Sequence, residues 1–195
     1  MRTFRFITTA ATAAAAALIV SGCSASDTSH DTSHSASSQA AADFNQADVT
    51  YAQGMTMHHQ QAVEMSDIVL GKSGVDPEVT QLAKDIKKAQ GPEITTMEGW
   101  LEDWGQDSMG HGDHGSMDGD GMVSAEDITA LKQADGPAAS RLFLTQMIEH
   151  HEGAVAMARQ HRKDGKNPEA LELSSTVITD QKAEIKEMRT MRAAL

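Results

Sequence analysis

Apolar side chains recur along most of the chain at alternating steps of three and four residues, the spacing that places them on one face of an α-helix. From Asp48 to Leu70, this face carries Tyr51, Met55, His58, Ala62, Met65 and Val69. Asp76-Pro77-Glu78 then begins a second helix that is predicted to extend to about Trp104. Gly91-Pro92 is expected to interrupt and kink this helix, because proline removes a hydrogen bond from the helical ladder.

The second half of the chain has a similar pattern, after a long glycine-rich segment. Residues 105–122 contain six glycines and no apolar period, so they are predicted to form a loop. A short helix is expected over residues 124–134, a long one from Ala138 to about Arg162, and a last one beginning at Asn167-Pro168-Glu169. No segment has the alternation of a β-strand, so the predicted fold class is all-α.

Two stretches of the chain are copies of each other. The motif Met-x-x-His-His occurs twice at an offset of 92 residues, as Met55, His58, His59 and as Met147, His150, His151. On the second helix of each copy, Gln90 and Glu93 recur as Gln181 and Glu184, at an offset of 91. Residues 48–104 and 138–194 are therefore two helical hairpins, and neither can bury its apolar face alone. Pairing them about a pseudo-two-fold axis predicts a four-helix bundle within residues 43–195.

The two Met-x-x-His-His motifs are the first candidates for chemistry. Their helical spacing directs all four histidines toward the apolar interior or its margin. Burying four imidazole rings requires desolvation and adds little packing, which a role as metal ligands would explain. The alternative is a set of core histidines that hydrogen-bond to the neighbouring helix, where the available partners are Gln90, Glu93, Gln181 and Glu184. If a metal binds, these four side chains are predicted to orient the liganding rings.

The residue types of the motif favour copper. A methionine thioether is a soft ligand that suits Cu(I), and imidazole accepts either oxidation state, so Cu(I) is favoured and Cu(II) is possible. Zinc would prefer cysteine, histidine and carboxylate. Di-iron bundles use Glu-x-x-His, but no histidine of this chain follows a glutamate at that spacing. The prediction is a copper-binding protein that is not an enzyme; the alternatives are a ferritin-like redox enzyme and a non-metal helical interaction protein.

The glycine-rich loop contains a second set of soft ligands, namely Met109, His111, His114, Met117 and Met122. A polar linker that happens to be rich in histidine is the alternative. The loop is longer than most connections in compact domains, and such loops are usually functional or disordered. We predict that these residues are mobile ligands that capture or transfer the ion.

The N-terminal residues have the features of an export signal. Two arginines precede an apolar, alanine-rich run, so residues 1–22 are predicted to be a signal peptide. Val20-Ser21-Gly22-Cys23 resembles the lipobox of bacterial lipoproteins, which predicts lipidation of Cys23. Residues 23–42 are expected to form a flexible tether. The predicted location is the bacterial cell envelope, lipid-anchored, with a soluble secreted or periplasmic form as the alternative.

The charge of the chain narrows the choice of partners. Without Arg2 and Arg5 of the signal, 14 of the 16 basic residues remain against 28 acidic ones, a balance of −14. Such a chain attracts cations and is unsuited to nucleic acid or to anionic membrane surfaces. Membrane contact is therefore expected only through the lipid anchor, and a homo-oligomer or a copper-exchanging envelope protein is a possible partner.

These motifs resemble a known family. His-His-x-x-Ala-Val-x-Met in both halves, Trp-Leu-x-x-Trp-Gly from Trp100 to Gly105, and His-Gly-Asp-His-Gly-Ser-Met in the loop are similar to domain-of-unknown-function family 305, over about Asp43 to Leu195. The resemblance implies an exported bacterial protein with a ferritin-like helical bundle. Some members resemble periplasmic copper-binding proteins, which implies copper sequestration, tolerance or transfer. Thr56 replaces the family's usual isoleucine, so the two halves are expected to differ in affinity.

Overall fold

The computed structural model describes residues 43–108 and 121–195, and helices are the only regular elements within these two segments. They are α1 (Gln46–Leu70), α2 (Pro77–Asp103), α3 (Ala125–Gln133), α4 (Gly136–Asp164) and α5 (Pro168–Ala194). The predicted all-α class is confirmed. None of these helices is both long and apolar enough to cross a membrane. The predicted signal peptide, Cys23, the tether and residues 109–120 of the loop lie outside the described residues.

The helix starts follow from their capping residues. Asp76, Asp135 and Asn167 each accept a backbone N–H of the first turn, and a proline follows each of them within two residues. The predicted interruption at Gly91-Pro92 is wrong, because α2 continues through both residues. Pro92 is exposed, so water can satisfy the carbonyl group that loses its N–H partner.

The helices form two antiparallel hairpins, α1 with α2 and α4 with α5, which pack mainly through α1 against α4. The end of α2 returns to the start of α1, where the rings of Phe44 and Trp104 stack at 4.7 Å. The start of α4 lies at the opposite end, where the Ser140 hydroxyl accepts the Asp76 N–H at 3.0 Å. The chain between α2 and α4 must therefore run the length of the bundle. One such long crossover is the topology of ferritin-like bundles.

Equivalent hydrogen bonds join the two hairpins at both ends of the bundle. The N–H of Asn167, the residue before α5, donates to the Asp48 carboxylate of α1 at 3.1 Å. The N–H of Asp76, the residue before α2, donates to the Ser140 hydroxyl of α4 at 3.0 Å. Asp48 and Ser140 occupy the same position of the repeat, as do Asp76 and Asn167. The structure therefore retains the pseudo-two-fold relation that the sequence repeat predicts.

Two clusters of buried apolar side chains fill the bundle. One includes Met65, Ile86, Phe143 and Met147. The other includes Tyr51, Met55, Met97 and Ala154. Along α4, His150 lies between Met147 of the first cluster and Ala154 of the second, and His58 has the equivalent place on α1. The four motif histidines therefore form a polar layer between two apolar halves of the core, which we call the histidine layer.

Candidate metal centre

The histidine layer is fully enclosed. His58, His59, His150 and His151 are each no more than 1% exposed. The sequence spacing predicts this burial, because these positions share the apolar faces of α1 and α4. The rings of His58 and His150 meet at the crossing of the two helices, with centroids 3.7 Å apart and planes tilted by 40°. The equivalent histidines of the two repeats are thus brought into direct contact.

His150 has an unusual environment for a buried polar side chain. Neither of its ring nitrogens meets the geometry of a hydrogen bond with a described residue, although the His58 backbone lies close enough to interact with the ring. Burial, together with the electrostatic influence of His58, His151 and His59, lowers the pKa of His150 well below its ordinary value; the nearby backbone of His58 opposes this shift without reversing it. The ring is therefore neutral near pH 7 and keeps an available nitrogen lone pair. Buried polar groups in native proteins normally have partners, so His150 is an exception among the described side chains that requires an explanation.

The second histidine of each motif is held by a carboxylate on the adjacent helix. His59 Nε2 lies 2.8 Å from Glu93 Oε2, and His151 Nε2 lies 2.7 Å from Glu184 Oε2. Both carboxylates are about one-fifth exposed, at 20% and 21%. In a neutral ring that donates its Nε2 proton to the carboxylate, Nδ1 is the nitrogen with a lone pair, and Nδ1 of both rings is buried without a hydrogen-bond partner in the described segments.

Gln90 and Gln181 do not act as ring partners. They lie one turn before Glu93 and Glu184 and are 2% and 4% exposed. No hydrogen bond is found for the side-chain amide of Gln90 or for Oε1 of Gln181 within the described residues. The glutamates, and not the glutamines, therefore supply the contacts predicted for this set. The buried amides add further unpaired polar atoms to the same core.

The motif methionines are also buried, but on opposite sides of the histidine layer. Met55 and Met147 are both 0% exposed. Met55 belongs to the cluster of Tyr51 and Met97, whereas Met147 belongs to that of Phe143 and Ile86. Within the described residues, no three His, Cys, Asp or Glu side chains are grouped to hold a metal ion. A metal in this layer would therefore need methionine sulfur, or a ligand from elsewhere, to complete its coordination.

The end of the crossover loop packs beside the histidine layer. Gly121 has a φ of +78° and approaches α4 so closely that an added Cβ would lie 2.7 Å from Glu149 O and 2.7 Å from Gly153 Cα. Val123 exchanges two hydrogen bonds with the Gln61 side chain of α1. Met122, between them, is half-buried near the turn of α4 that carries His150. The other predicted loop ligands, Met109, His111, His114 and Met117, lie outside the described residues.

A second buried polar group at the end of the bundle was not predicted. His161 Nε2 lies 2.8 Å from Asp48 Oδ1, and His161 Nδ1 lies 2.6 Å from Ser174 Oγ. The Tyr51 ring stacks on His161 at 4.1 Å, and burial raises the Tyr51 pKa. His161 has no counterpart in the first repeat, where Val69 takes its place, so no spacing in the sequence marks it. All of its ring nitrogens are used, which makes it a structural group.

The fold and the histidine layer define an all-helical bundle of two repeated hairpins with a buried polar centre. The chain belongs to the family described as Domain of unknown function (DUF305), whose model matches residues 48–192. None of the curated proteins matches the chain.

Solved structures of similar proteins support this assignment. A DUF305 fragment from Deinococcus radiodurans is 30% identical, with a TM-score of 0.71 over 77% of this chain and 98% of its own. A DUF305 protein from Streptomyces coelicolor is 33% identical, with a TM-score of 0.70 over 76% and 93%. CopM in its Cu(I)-bound form is 33% identical, with a TM-score of 0.63 over 75% and 96%. CopM is also known in Cu(II)-bound and silver-bound forms.

Proposed function

We propose that this chain is a copper-binding protein of the cell envelope that sequesters copper or hands it on. The observation that carries the proposal is the buried His150 ring, neutral and without a hydrogen-bond partner in the described segments, packed against its equivalent His58. A neutral imidazole keeps a nitrogen lone pair that a soft or borderline metal ion can accept. CopM, which is similar over three-quarters of this chain, binds Cu(I), Cu(II) and silver, and this supports the choice of metal.

The donor atoms proposed for the bundle are soft or borderline. They are the thioethers of Met55 and Met147 with the imidazoles of His58, His59, His150 and His151. This mixture favours Cu(I), whereas Cu(II) would depend more on the imidazoles. Because His58 and His150 touch, a metal bound at this contact would take ligands from both repeats. Glu93 and Glu184 would orient the rings of His59 and His151, whereas Gln90 and Gln181, predicted to share this role, form no hydrogen bond with the rings in the described segments.

The crossover loop supplies the exchange step in this proposal. Met109, His111, His114, Met117 and Met122 are a second set of ligands that pass copper to or from the bundle. The packing of Gly121 against α4 supports this role for Met122, because it brings the end of the loop beside the turn of His150.

The proposed location is outside the cytoplasm. Residues 1–22 would direct export, Cys23 would carry the lipid and residues 23–42 would tether the bundle to the membrane. The Streptomyces coelicolor relative is described as a secreted protein, which supports export.

The competing interpretation is that the histidines are structural. The pairs His59–Glu93 and His151–Glu184 would suit that role equally well. His150 discriminates between the metal-binding and the structural interpretation, since a structural histidine would have a partner.

The test is titration of the chain without its signal by Cu(I) against a competing chelator, for the native protein and for His150→Leu. X-ray absorption then reports sulfur against nitrogen ligation. Equal affinity of the two proteins, with both still folded, would reject the bundle centre.

A further inference from the structure

A groove along the outside of the α4–α5 hairpin is basic, although the protein as a whole is acidic. It has a volume of about 700 Å³. Val155 and Ile185, which are 5% and 7% exposed, form an apolar floor. The rim carries four cations against the single carboxylate of Glu152, and these are Arg159, Lys182, Lys186 and Arg189. We call this surface the basic groove; the whole chain has a net charge of −12.

The equivalent surface of the α1–α2 hairpin has the opposite charge. The repeat offsets place Val63 and Ile94 at the positions of Val155 and Ile185, so the apolar centre is retained. Three carboxylates, Asp67, Glu98 and Glu102, stand at its rim positions, and none of the four positions equivalent to the groove's cations holds a cation. Asp67 pairs with the neighbouring Lys87, which leaves Glu98 and Glu102 as the exposed charges. We call this surface the acidic face.

One pair of contacts shows that the two surfaces correspond residue by residue. In the basic groove, Arg189 Nη2 lies 2.5 Å from Glu152 Oε1. In the acidic face, Gln60 Nε2 lies 3.5 Å from Glu98 Oε1. Gln60 is the repeat equivalent of Glu152, and Glu98 is the equivalent of Arg189. The same contact between neighbouring helices is therefore made in both halves, but the residue is a cation on α5 and an anion on α2.

The two surfaces also differ in shape in a complementary way. Lys182 and Lys186 raise the rim of the basic groove above a buried floor. Their equivalents in the acidic face are Gly91 and Thr95, and the apolar side chains there are only half-buried. The acidic face is thus a low surface with accessible apolar side chains and a border of carboxylates. It matches the basic groove, which has an apolar floor and a border of cations.

We propose that the acidic face of one copy of this chain docks into the basic groove of a second copy. The net negative charge of the protein opposes association at long range, but that repulsion is screened beyond about 8–10 Å at physiological ionic strength. Opposite charges in contact across the interface are screened less. Because the two surfaces are different, the association is head-to-tail and forms either a closed ring or an open chain, depending on the rotation between copies.

Sedimentation velocity of the chain without its signal, with no metal added, tests this proposal. The average mass should rise between about 10 µM and about 1 mM protein, a range that suits a weak polar interface. It should fall again as salt is raised toward about 0.5 M. Arg189→Glu and Glu98→Arg should each weaken association about tenfold, because each places like charges in contact. Lys132→Glu is the matched control, since Lys132 makes a similarly exposed pair with Glu64 and is a member of neither the basic groove nor the acidic face as defined above.

Mixing the two charge-reversed proteins, Arg189→Glu and Glu98→Arg, is the decisive experiment. The carboxylate that Arg189→Glu introduces would meet the guanidinium that Glu98→Arg introduces, so the ion pair is restored with its polarity reversed. The other pairing in the mixture is the native one, so an equimolar mixture should regain association to within about threefold of the native protein. Three outcomes would each overturn the proposal. The native protein could stay monomeric throughout, which would indicate a different acidic partner for the groove. The mixture could associate no better than its components, or Lys132→Glu could weaken association as much as Arg189→Glu does.

Discussion

The imidazole rings of His58 and His150 lie 3.7 Å apart where α1 crosses α4. Each ring comes from the equivalent position of one repeat, and each is buried, at 1% exposure. A buried ring nitrogen without a partner lowers stability, and both ring nitrogens of His150 are in this state within the described residues. His150 should therefore reduce the stability of the fold unless a ligand satisfies its nitrogens.

Replacement of His150 should separate stability from metal binding. His150→Leu removes a buried ring that has no hydrogen-bond partner in the described segments and substitutes an apolar side chain. The metal-free protein should gain about 1 kcal/mol in the free energy of unfolding, since the unmade hydrogen bonds disappear from the folded state. Its affinity for Cu(I) should fall at the same time. Urea unfolding and chelator competition measure the two quantities.

His151→Leu is the companion variant, because it breaks the contact with Glu184 and leaves that carboxylate without its partner. It should lower stability, by about 1–3 kcal/mol, where His150→Leu raises it. Destabilisation of similar size in both variants would mean that His150 is an ordinary structural histidine.

Loss of charge at Glu93 or Glu184 should weaken copper binding. Glu184→Gln can still reach His151 but no longer offers a carboxylate to its Nε2 proton, so the preference for a lone pair on Nδ1 is lost. Removal of such an orienting partner typically lowers metal affinity by about 10–100-fold. Glu93→Gln should have a similar effect through His59. Glu187→Gln, at an exposed position of α5, is the control; an equal loss there would argue for a general charge effect.

Periodicity and the internal repeat predicted most of the fold. The spacing of three and four predicted which faces of α1 and α4 are buried, and the Pro-containing starts predicted where α2 and α5 begin. The interruption at Gly91-Pro92 was wrong, because one missing hydrogen bond on an exposed side does not end a helix that tertiary packing supports. Local propensity is a weaker determinant than the burial of the opposite face.

The detailed arrangement of the centre was only partly predictable. Spacing placed His58 and His150 toward the interior, but their direct contact depends on how two helices cross, which no local pattern contains. The sequence left Gln90 and Glu93 as equal candidates for the histidine partner. Only the structure distinguishes them, since His59 reaches Glu93 and Gln90 remains without a partner among the described residues.

Asp48 should dominate the acid sensitivity of the fold. Burial alone would raise its pKa, but hydrogen bonds from His161 and from the backbone of Asn45, Asn167 and Lys166 outweigh burial and lower the pKa below 3.8. The unfolded chain therefore takes up this proton at a higher pH than the folded protein does. The resulting stability is present above about pH 3.8 and is lost as the pH falls through the lowered folded pKa.

Asp48→Asn tests this role. It should lower the free energy of unfolding at pH 7 by about 3 kcal/mol, because the partner His161 stays buried and loses its carboxylate. The variant should also lose less stability than the native protein between pH 5 and about pH 2. Thermal unfolding across this range measures both effects. Asp180→Asn, at an exposed site on α5, is the control, and a native-like acid profile for Asp48→Asn would contradict the assignment.

Gly121 should couple the crossover loop to the histidine layer. An alanine there would require a φ of +78° and would place its Cβ 2.7 Å from backbone atoms of α4, so the segment must move away from the turn of His150. We expect Gly121→Ala to lower stability by about 1–3 kcal/mol and, if Met122 is a ligand, to lower Cu(I) affinity as well. Gly99→Ala is the matched control: no described atom lies within 4 Å of its Cβ position on α2, so it should stabilise the protein by about 0.5–1 kcal/mol.

Met122→Leu then separates the two effects of Gly121→Ala, because it removes the sulfur without moving the backbone. Unchanged affinity in Met122→Leu together with reduced affinity in Gly121→Ala would assign the loss to the position of α4 and exclude Met122 as a ligand.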